Sequence, residues 1–553
     1  MKKKFFVVVL LFIIVTLVAT LLSCSPRNAV KTFLVRFDEG GGSRVPDVRT
    51  ALIEEEPAPE KNGYVFEGWY SDDKKTERVY FPYQPENDVT LHAKYINLSV
   101  GNEENAYVLS GENYILSSYN GVSANLVIPQ TYNDKPVVGI ESGAIKYAHY
   151  LTTVYFYELN EVNQNFSLFP YLKSFVKRGT GGSFTVKGEV LFSDGGDTLF
   201  CYPRARTDTV YSIPSGTKTI AKNAFRNAKN LREITLNKEL TAIEEKFDSL
   251  SSLTSFVVHE NDVFSEDDGV LYQGNVLLAY PASRVSTAYT LREGTEKIAD
   301  DALTNANVKS LTLNAGLEDF GLQTALDSLT EIKVENNPRY VSTDGVLYNA
   351  DNELVRYPSA KEGETYRIKQ GTVGIQSYAF YHALLLREIV VPNSVVSVSK
   401  YSVTACETEK ITFVSGSNLT HLDGGFLTAP GEPCDLYLSV GRPPETQIAE
   451  LKESFRHVYV PKNVAALYRV VWVEMASKIA DSDEEVPEYN VTLMNDEESS
   501  VYVCACMAEE PVLRRDGYAF VGWFSDETLL DQVTFPVFFT QDTVFYAKWN
   551  KIE

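Results

Sequence analysis

Two nested periods constrain this chain more than anything else in it. Tyr202-Pro203, Tyr280-Pro281 and Tyr357-Pro358 follow one another at intervals of 78 and 77 residues, and Ala224-Phe225, Ala302-Leu303 and Ala379-Phe380 keep the same intervals. Inside that spacing Leu231, Ile234 and Leu236 recur 22 residues later as Leu253, Phe256 and Val258. A unit this short cannot bury its apolar face alone, so successive units must stack and share one continuous core.

One unit shows how the residues become structure. Ile213-Pro214-Ser215-Gly216 reads as a strand running into a turn, because Pro214 ends ladder pairing and Gly216 frees the backbone. Ile220, Ala224 and Phe225 point inward, and Ile234-Thr235-Leu236 alternates as a short strand. Each turn is therefore expected to be a strand plus a loop or short helical segment. The long period adds apolar pairs of strands, 268–281 and 344–358, with a looser version at 188–203; their Gly274-Asn275 and Asp351-Asn352 steps predict hairpins projecting at regular intervals. Half-buried Val, Leu and Tyr residues favour braces over binding elements, although repeated insertions tend to map to one face. The acidic cluster Asn261-Asp262 and Glu266-Asp267-Asp268 fits a solvated loop better than a cation site, since the other copies do not keep its spacing.

Two near-copies bracket the repeats. Gly63-Tyr64-Val65-Phe66-Glu67-Gly68-Trp69-Tyr70 to Ala93-Lys94-Tyr95 recurs, 454 residues on, as Gly517-Tyr518-Ala519-Phe520-Val521-Gly522-Trp523-Phe524 to Ala547-Lys548-Trp549. Thr32 to Phe37 and Val89 to Tyr95 alternate as strands. Trp69 and Trp523 are expected in miniature cores beside Phe66 and Phe520, in preference to a surface platform for glycans, because so small a unit has few other large apolar side chains.

The pattern from Ile213 to Leu236, an Ile-Pro, an Ile, an Ala-Phe and a Leu-x-x-Ile, resembles the leucine-rich repeats of the BspA-like surface-antigen class. Tyr366 to Pro392 matches nearly as well, and looser copies extend the likeness over 123–475. The bracketing modules are similar to the internalin-type B-repeat, or Listeria-Bacteroides repeat, at Gly63 to Tyr70, Phe81-Pro82 and Asp88 to Tyr95, and at Gly517 to Phe524, Phe535-Pro536 and Asp542 to Trp549. That resemblance implies a β-grasp fold on secreted and surface proteins. The first implies attachment to host cells, matrix proteins or other bacteria.

At the amino end Lys2-Lys3-Lys4 precedes an apolar run from Phe5 to Leu22, followed by Ser23-Cys24. The order describes a secretory signal, and its cysteine resembles that of a bacterial lipoprotein, in which Cys24 is the lipid attachment site. The other five cysteines are too sparse for a disulfide scaffold. Cys201 and Cys406 read as buried small hydrophobes, and Cys504-Ala505-Cys506 lacks the second pair of ligands that a metal centre needs.

The net charge of −23 excludes a nucleic-acid partner. His92, His149, His259, His382, His421 and His457 are scattered without ligand spacing, and no nucleophile elbow or phosphate loop occurs. The chain is thus read as mainly β with short helices, a leucine-rich-repeat solenoid flanked by two small β-grasp-like modules. Its expected divisions are a lipoprotein signal peptide 1–23, an anchor linker 24–32, a first module 33–96, a linker or degenerate first repeat 97–122, a solenoid 123–475 with inserted hairpins and a helical cap, an acidic linker 476–488 and a second module 489–550. The expected function is adhesion or protein–protein interaction at the outer surface, by a lipid-anchored protein that is not an enzyme. Its partners are an extracellular protein or host surface or matrix component, and the membrane through the anchor. No catalytic residue, metal, cofactor or ligand-binding residue is assigned. A structural or scaffolding envelope lipoprotein and an envelope glycan-binding module are the alternatives.

Overall fold

The computed structural model describes residues 31–146, 148–321, 326–428, 433–496 and 498–552. Cys24 and the signal segment lie outside the described residues. Two compact units divide the rest: one runs to Gly196 and takes in Pro203–Ala205, and the other holds Asp197–Tyr202 and continues from Arg206.

The first unit opens with a four-stranded sheet in the order Val48–Thr50, Phe33–Asp38, Val89–Asn97, Tyr64–Tyr70. Its two central strands are parallel and its outer pairs antiparallel. Val35, Phe37, Leu91 and Ala93 alternate onto one face and pack with Trp69. A bulge at Phe66/Gly68, where Gly68 takes φ 152°, turns Trp69 under the sheet. Among the described residues this module holds no helix.

The 97–122 stretch continues as a hairpin, Asn105–Ser110 with Asn113–Tyr119, whose second strand pairs with Lys135–Ile140. A parallel ladder of Asn125–Val127, Thr153–Phe156 and Ser174–Lys177 follows. The module is joined to it by the Asn125 side-chain amide, which donates to the Phe66 carbonyl at 2.9 Å, and by Val65, Ile96 and Val127.

In the second unit most solenoid turns contribute one longer and one shorter strand, which stack in parallel as two ladders interrupted at the meanders. One ladder takes four-residue strands: Glu233–Leu236 pairs with Ser255–Val258, and Ser310–Leu313 with Glu331–Val334. It ends in six strands, Thr365–Arg367, Glu388–Val391, Lys410–Phe413, Cys434–Leu438, Phe455–Pro461 and Ile479–Ser482. The other takes two-residue strands, such as Thr219–Ile220 with Ala242–Ile243 and Gly374–Ile375 with Ser397–Val398.

The helical alternative for each turn is therefore corrected. Where it was expected the chain turns a corner, because Asn223 and Asn227, Asp301 and Asn305, and Tyr378 and His382 all take positive φ, a conformation that ends a right-handed helix. Among the described residues, α-helix is confined to Ile448–Leu451 and Ala465–Val471. The second of these runs into a 3-10 turn, Val473–Lys478, and Tyr468, Trp472 and Met475 from this stretch are all at most 1 % exposed in the solenoid core.

The hairpins are also corrected in shape. Phe264–Asp267, Val270–Gln273 and Val276–Ala279 form a three-stranded meander, and so do Tyr340–Thr343, Val346–Asn349 and Glu353–Arg356. In each the last strand continues in parallel into the two-residue ladder. They do not project, because Val270, Leu271, Tyr272 and Leu277, like Val346, Leu347, Tyr348 and Leu354, are buried on both faces. Asp268-Gly269 and Asp344-Gly345, all with positive φ, make the tight turns. The braces are tied across by Tyr272 to Tyr289 and Tyr348 to Tyr366 hydroxyl contacts of 2.7 and 2.9 Å. In the looser version, Thr185–Lys187 and Val190–Ser193 pair within the first unit.

The start of the acidic stretch, Ile479–Ser482, is the last rung of the long ladder. The carboxyl-terminal module then repeats the amino-terminal sheet, with Glu498–Cys504, Tyr489–Asn495, Thr543–Lys551 and Tyr518–Phe524 in order. It shares the solenoid core through Ala505, Cys506 and Phe538. A Cβ added to Gly441 would stand 2.4 Å from the Phe538 ring. Gly441→Leu is accordingly expected to detach the module while leaving both parts folded; differential scanning calorimetry should resolve one transition into two.

Acid sensitivity is built into the long ladder. Asp435 accepts from Arg456 Nε at 3.0 Å and Nη2 at 2.8 Å, with His457 at 3.5 Å. Hydrogen bonding to Arg456 holds its carboxyl below the ordinary carboxylate value. The pair stabilises the fold above that ordinary value and loses its contribution as pH falls through the lower folded value. The difference in Tm between the protein and Asp435→Asn should therefore hold steady from about pH 7 to about pH 5 and shrink toward about pH 3.

Candidate interaction surface

The repeat supplies its own internal control for finding a functional surface. Asn223, Asp301 and Tyr378 occupy equivalent corners and share φ values of 63°, 62° and 60°. Asn and Asp adopt this left-handed conformation readily; a bulky tyrosine does so only under constraint. The neighbouring positions change in the same sense. Arg226 and Thr304 become Tyr381, while Lys229 and Asn230 of the first copy become Leu384 and Leu385, which are 48 % and 51 % exposed.

The constraint comes from beneath. Where the earlier copies have Cys201 and Ala279, the third has Arg356, fully buried, whose guanidinium donates to the Tyr378 carbonyl at 2.7 Å. Burial pulls its pKa down to about 10, so it stays charged at neutral pH. The buried Ser359 hydroxyl donates to the Tyr381 carbonyl at 3.0 Å.

Above this support Tyr378 stacks on Tyr401 with ring centres 5.6 Å apart and meets Tyr381 edge-on at 5.8 Å. His382 Nδ1 lies 2.9 Å from Asp327, and Lys400 sits over Tyr401 while pairing with Glu450 at 3.0 Å. The result is an aromatic and aliphatic ridge with its rim charges paired, on a strongly acidic chain. None of these residues stood out in the sequence, though an alignment of the three copies would have shown polar corners turning apolar in the third.

The sequence-derived candidates fall elsewhere. Trp69 and Trp523 are fully buried, and each donates its indole N–H to a proline carbonyl at 2.6 Å, Pro57 and Pro511. Neither ring is available as a glycan platform. The acidic loop is spent on structure: Glu266 accepts from the Gly269 N–H, Asp267 from the Tyr289 hydroxyl, and Asp268 pairs with Arg284. Cys201, Cys406 and Cys434 are buried, and burial pushes each thiol up to about 12. Cys504 and Cys506 are half-buried, and the Cys506 thiol donates to the Asn463 carbonyl at 3.6 Å. On the long ladder Tyr437 and Tyr459 stack at 4.4 Å, so each covers a face of the other.

Fold and surface together define a leucine-rich-repeat solenoid protein. The BspA type leucine-rich repeat region matches six copies over 200–275 and 360–427, and the Listeria-Bacteroides repeat domain matches 33–94 and 479–548. The chain carries BspA-type leucine-rich repeats flanked by two Listeria-Bacteroides repeat domains.

Among curated relatives, a "Putative Gly-rich membrane protein" of Evansella cellulosilytica is 39 % identical over 85 residues, 15 % of this chain and 9 % of that one. A "Putative membrane protein" of the same organism is 37 % identical over 87 residues, 15 % and 12 % of the two chains. This chain thus spans about a tenth of the length of those relatives. Among solved structures, a leucine-rich cell surface protein from Faecalibacterium prausnitzii A2-165 is 18 % identical with a TM-score of 0.29, covering 65 % of this chain and 93 % of that one. The pneumococcal vaccine antigen PcpA is 14 % identical with a TM-score of 0.26, covering 70 % and 98 %.

Proposed function

We propose that this is a non-catalytic, lipid-anchored bacterial surface protein that binds an extracellular protein partner through its solenoid. In this reading Cys24 carries the lipid, the two small modules close the solenoid, and the Tyr378–Leu385 ridge with Tyr401 makes the contact. The observation that carries the reading is the change at one corner. Where the first copy has Asn223, Arg226, Lys229 and Asn230, and the second Asp301 and Thr304, the third holds two tyrosines and two leucines, over a buried arginine. Tyrosine anchors with exposed leucines suit an apolar protein surface and offer a sugar few hydrogen-bonding groups. The membrane-protein names of the Evansella relatives agree with a place at the envelope.

Protease shaving of intact cells tests the location, and removal of the protein is expected. Retention of an extracellular protein by the immobilised chain, abolished by substitutions in the ridge, tests the binding. Survival of the protein on shaved cells would favour the scaffolding alternative inside the envelope.

A further inference from the structure

The two bracketing modules are twins, so residues at matched positions report what each copy is asked to do. Val35 pairs with Val89 in the first module as Val491 pairs with Thr543 in the second, which fixes the correspondence. On the outer face of the first sheet stand Arg36, Arg49 and Thr90. The matching positions of the second are Thr492, Val503 and Val544. Both arginines are gone and two of the three positions are now valine: Val503 and Val544, with Val501 beside them, are 64 %, 40 % and 59 % exposed.

The edges differ as well. The first sheet ends in the three-residue strand Val48–Thr50, whose Arg49 lies 3.8 Å from Asp88. The second ends in the seven-residue strand Glu498–Cys504, paired with Tyr489–Asn495 on one side over its whole length without a bulge. Among the described residues its outer rim pairs with no other strand. Proteins ordinarily protect such an edge with lysine, proline, a bulge or brevity. This edge has none of them.

We propose that the carboxyl-terminal module pairs edge to edge with a second copy of this chain, Glu498–Cys504 running antiparallel to its counterpart. Three features favour a second copy over an unrelated strand. Six of the seven residues are uncharged, so two molecules of net charge −23 can approach here without placing like charges in register. Antiparallel pairing about Val501 sets Val501 against itself and Val503 against Ser499, an alternation complementary to its own copy. It also sends the two Glu498 carboxylates to opposite ends of the pairing, roughly 20 Å apart. Such pairing is isologous and closes as a dimer instead of growing. It is independent of the ridge on the solenoid.

Analytical ultracentrifugation of the full chain in detergent micelles tests this, with Cys24→Ser as a parallel sample that removes acylation. A concentration-dependent dimer is expected from both. Val503→Arg with Val544→Thr copies residues that the twin sheet already accommodates, and Val501→Lys adds a charge at the centre. Each is expected to weaken the dimer by about tenfold or more, with an unchanged thermal transition showing that the fold survives. Val48→Lys, at the other module's edge, should leave it unaltered. A monomer at all concentrations, or a dimer indifferent to the changes at Val501 and Val503, would overturn the proposal.

Discussion

A chain carrying Tyr378→Asn, Tyr381→Arg, Leu384→Lys and Leu385→Asn is expected to fold as well as the original and to retain no protein partner. The four replacements are the residues that stand at the same corner of the first copy, Asn223, Arg226, Lys229 and Asn230. Asn223 holds the same backbone conformation as Tyr378, within a few degrees of φ. Moving a left-handed corner from tyrosine to asparagine relieves strain, so Tm should stay level or rise; the change at that residue is worth about 1 kcal/mol. Binding should respond in the opposite direction. Truncation of one aromatic anchor at the centre of an interface commonly costs 2 kcal/mol or more, about a thirtyfold loss of affinity, and two such anchors leave together. Unaltered retention of the partner by a folded quadruple variant would remove the ridge from the binding surface. Arg356→Ala, the residue of the second copy, gives a second readout: with its support gone the Tyr378 corner should show faster amide hydrogen exchange even where the side chains above are intact.

The architecture was legible in the sequence to an uneven degree, and the unevenness has a physical cause. Tyr202-Pro203 and its repeats, and Ala224-Phe225 and its repeats, marked the stacking because buried positions tolerate little change and therefore recur. The two tryptophan cores could be read for the same reason. The second strand of each turn escaped, since a pair such as Thr219–Ile220 is too short to show an alternation. The hairpins were located, but the strand added before each, Phe264–Asp267 or Tyr340–Thr343, is four residues long with apolar side chains only at its start, too few to show an alternation. Surface function was least legible. A buried residue announces itself by repeating, whereas Tyr378, Leu384 and Val503 matter here because they fail to repeat.

Asparagines tie turn to turn, a role the sequence does not signal: Asn261 reads there only as part of an acidic loop and Asn337 not at all, yet their loss should cost the solenoid most. Asn337 donates its side-chain amide to the carbonyls of Asn314 at 2.8 Å and Leu317 at 2.9 Å, one turn earlier, and its carbonyl oxygen accepts from the backbone of Arg339 and Tyr340 at 2.8 and 3.0 Å. Asn261 does the same for Asn237 and Leu240, accepting in turn from Val263 and Phe264. Each side chain thus spans two turns with four hydrogen bonds. Asn337→Leu keeps the branching at Cγ, adds some bulk and removes all four, which at roughly 1 kcal/mol each, and with carbonyls left unpaired, should destabilise by about 3 kcal/mol or more. In a stack held by nearest-neighbour contacts the damage should be local, seen as accelerated amide exchange over 314–343 with the six-stranded ladder protected. Asn337→Asp separates hydrogen bonding from packing. Its carboxylate faces two carbonyl oxygens with no proton to offer, so it should be worse than leucine at neutral pH. Acidification protonates the carboxyl and restores one donor. The clash raises the folded-state pKa of the carboxyl above its ordinary value, so the aspartate variant should recover stability relative to the leucine variant as pH falls from neutral toward about 4, with no further gain below it. Identical pH profiles for the two would show that the asparagine serves by shape alone.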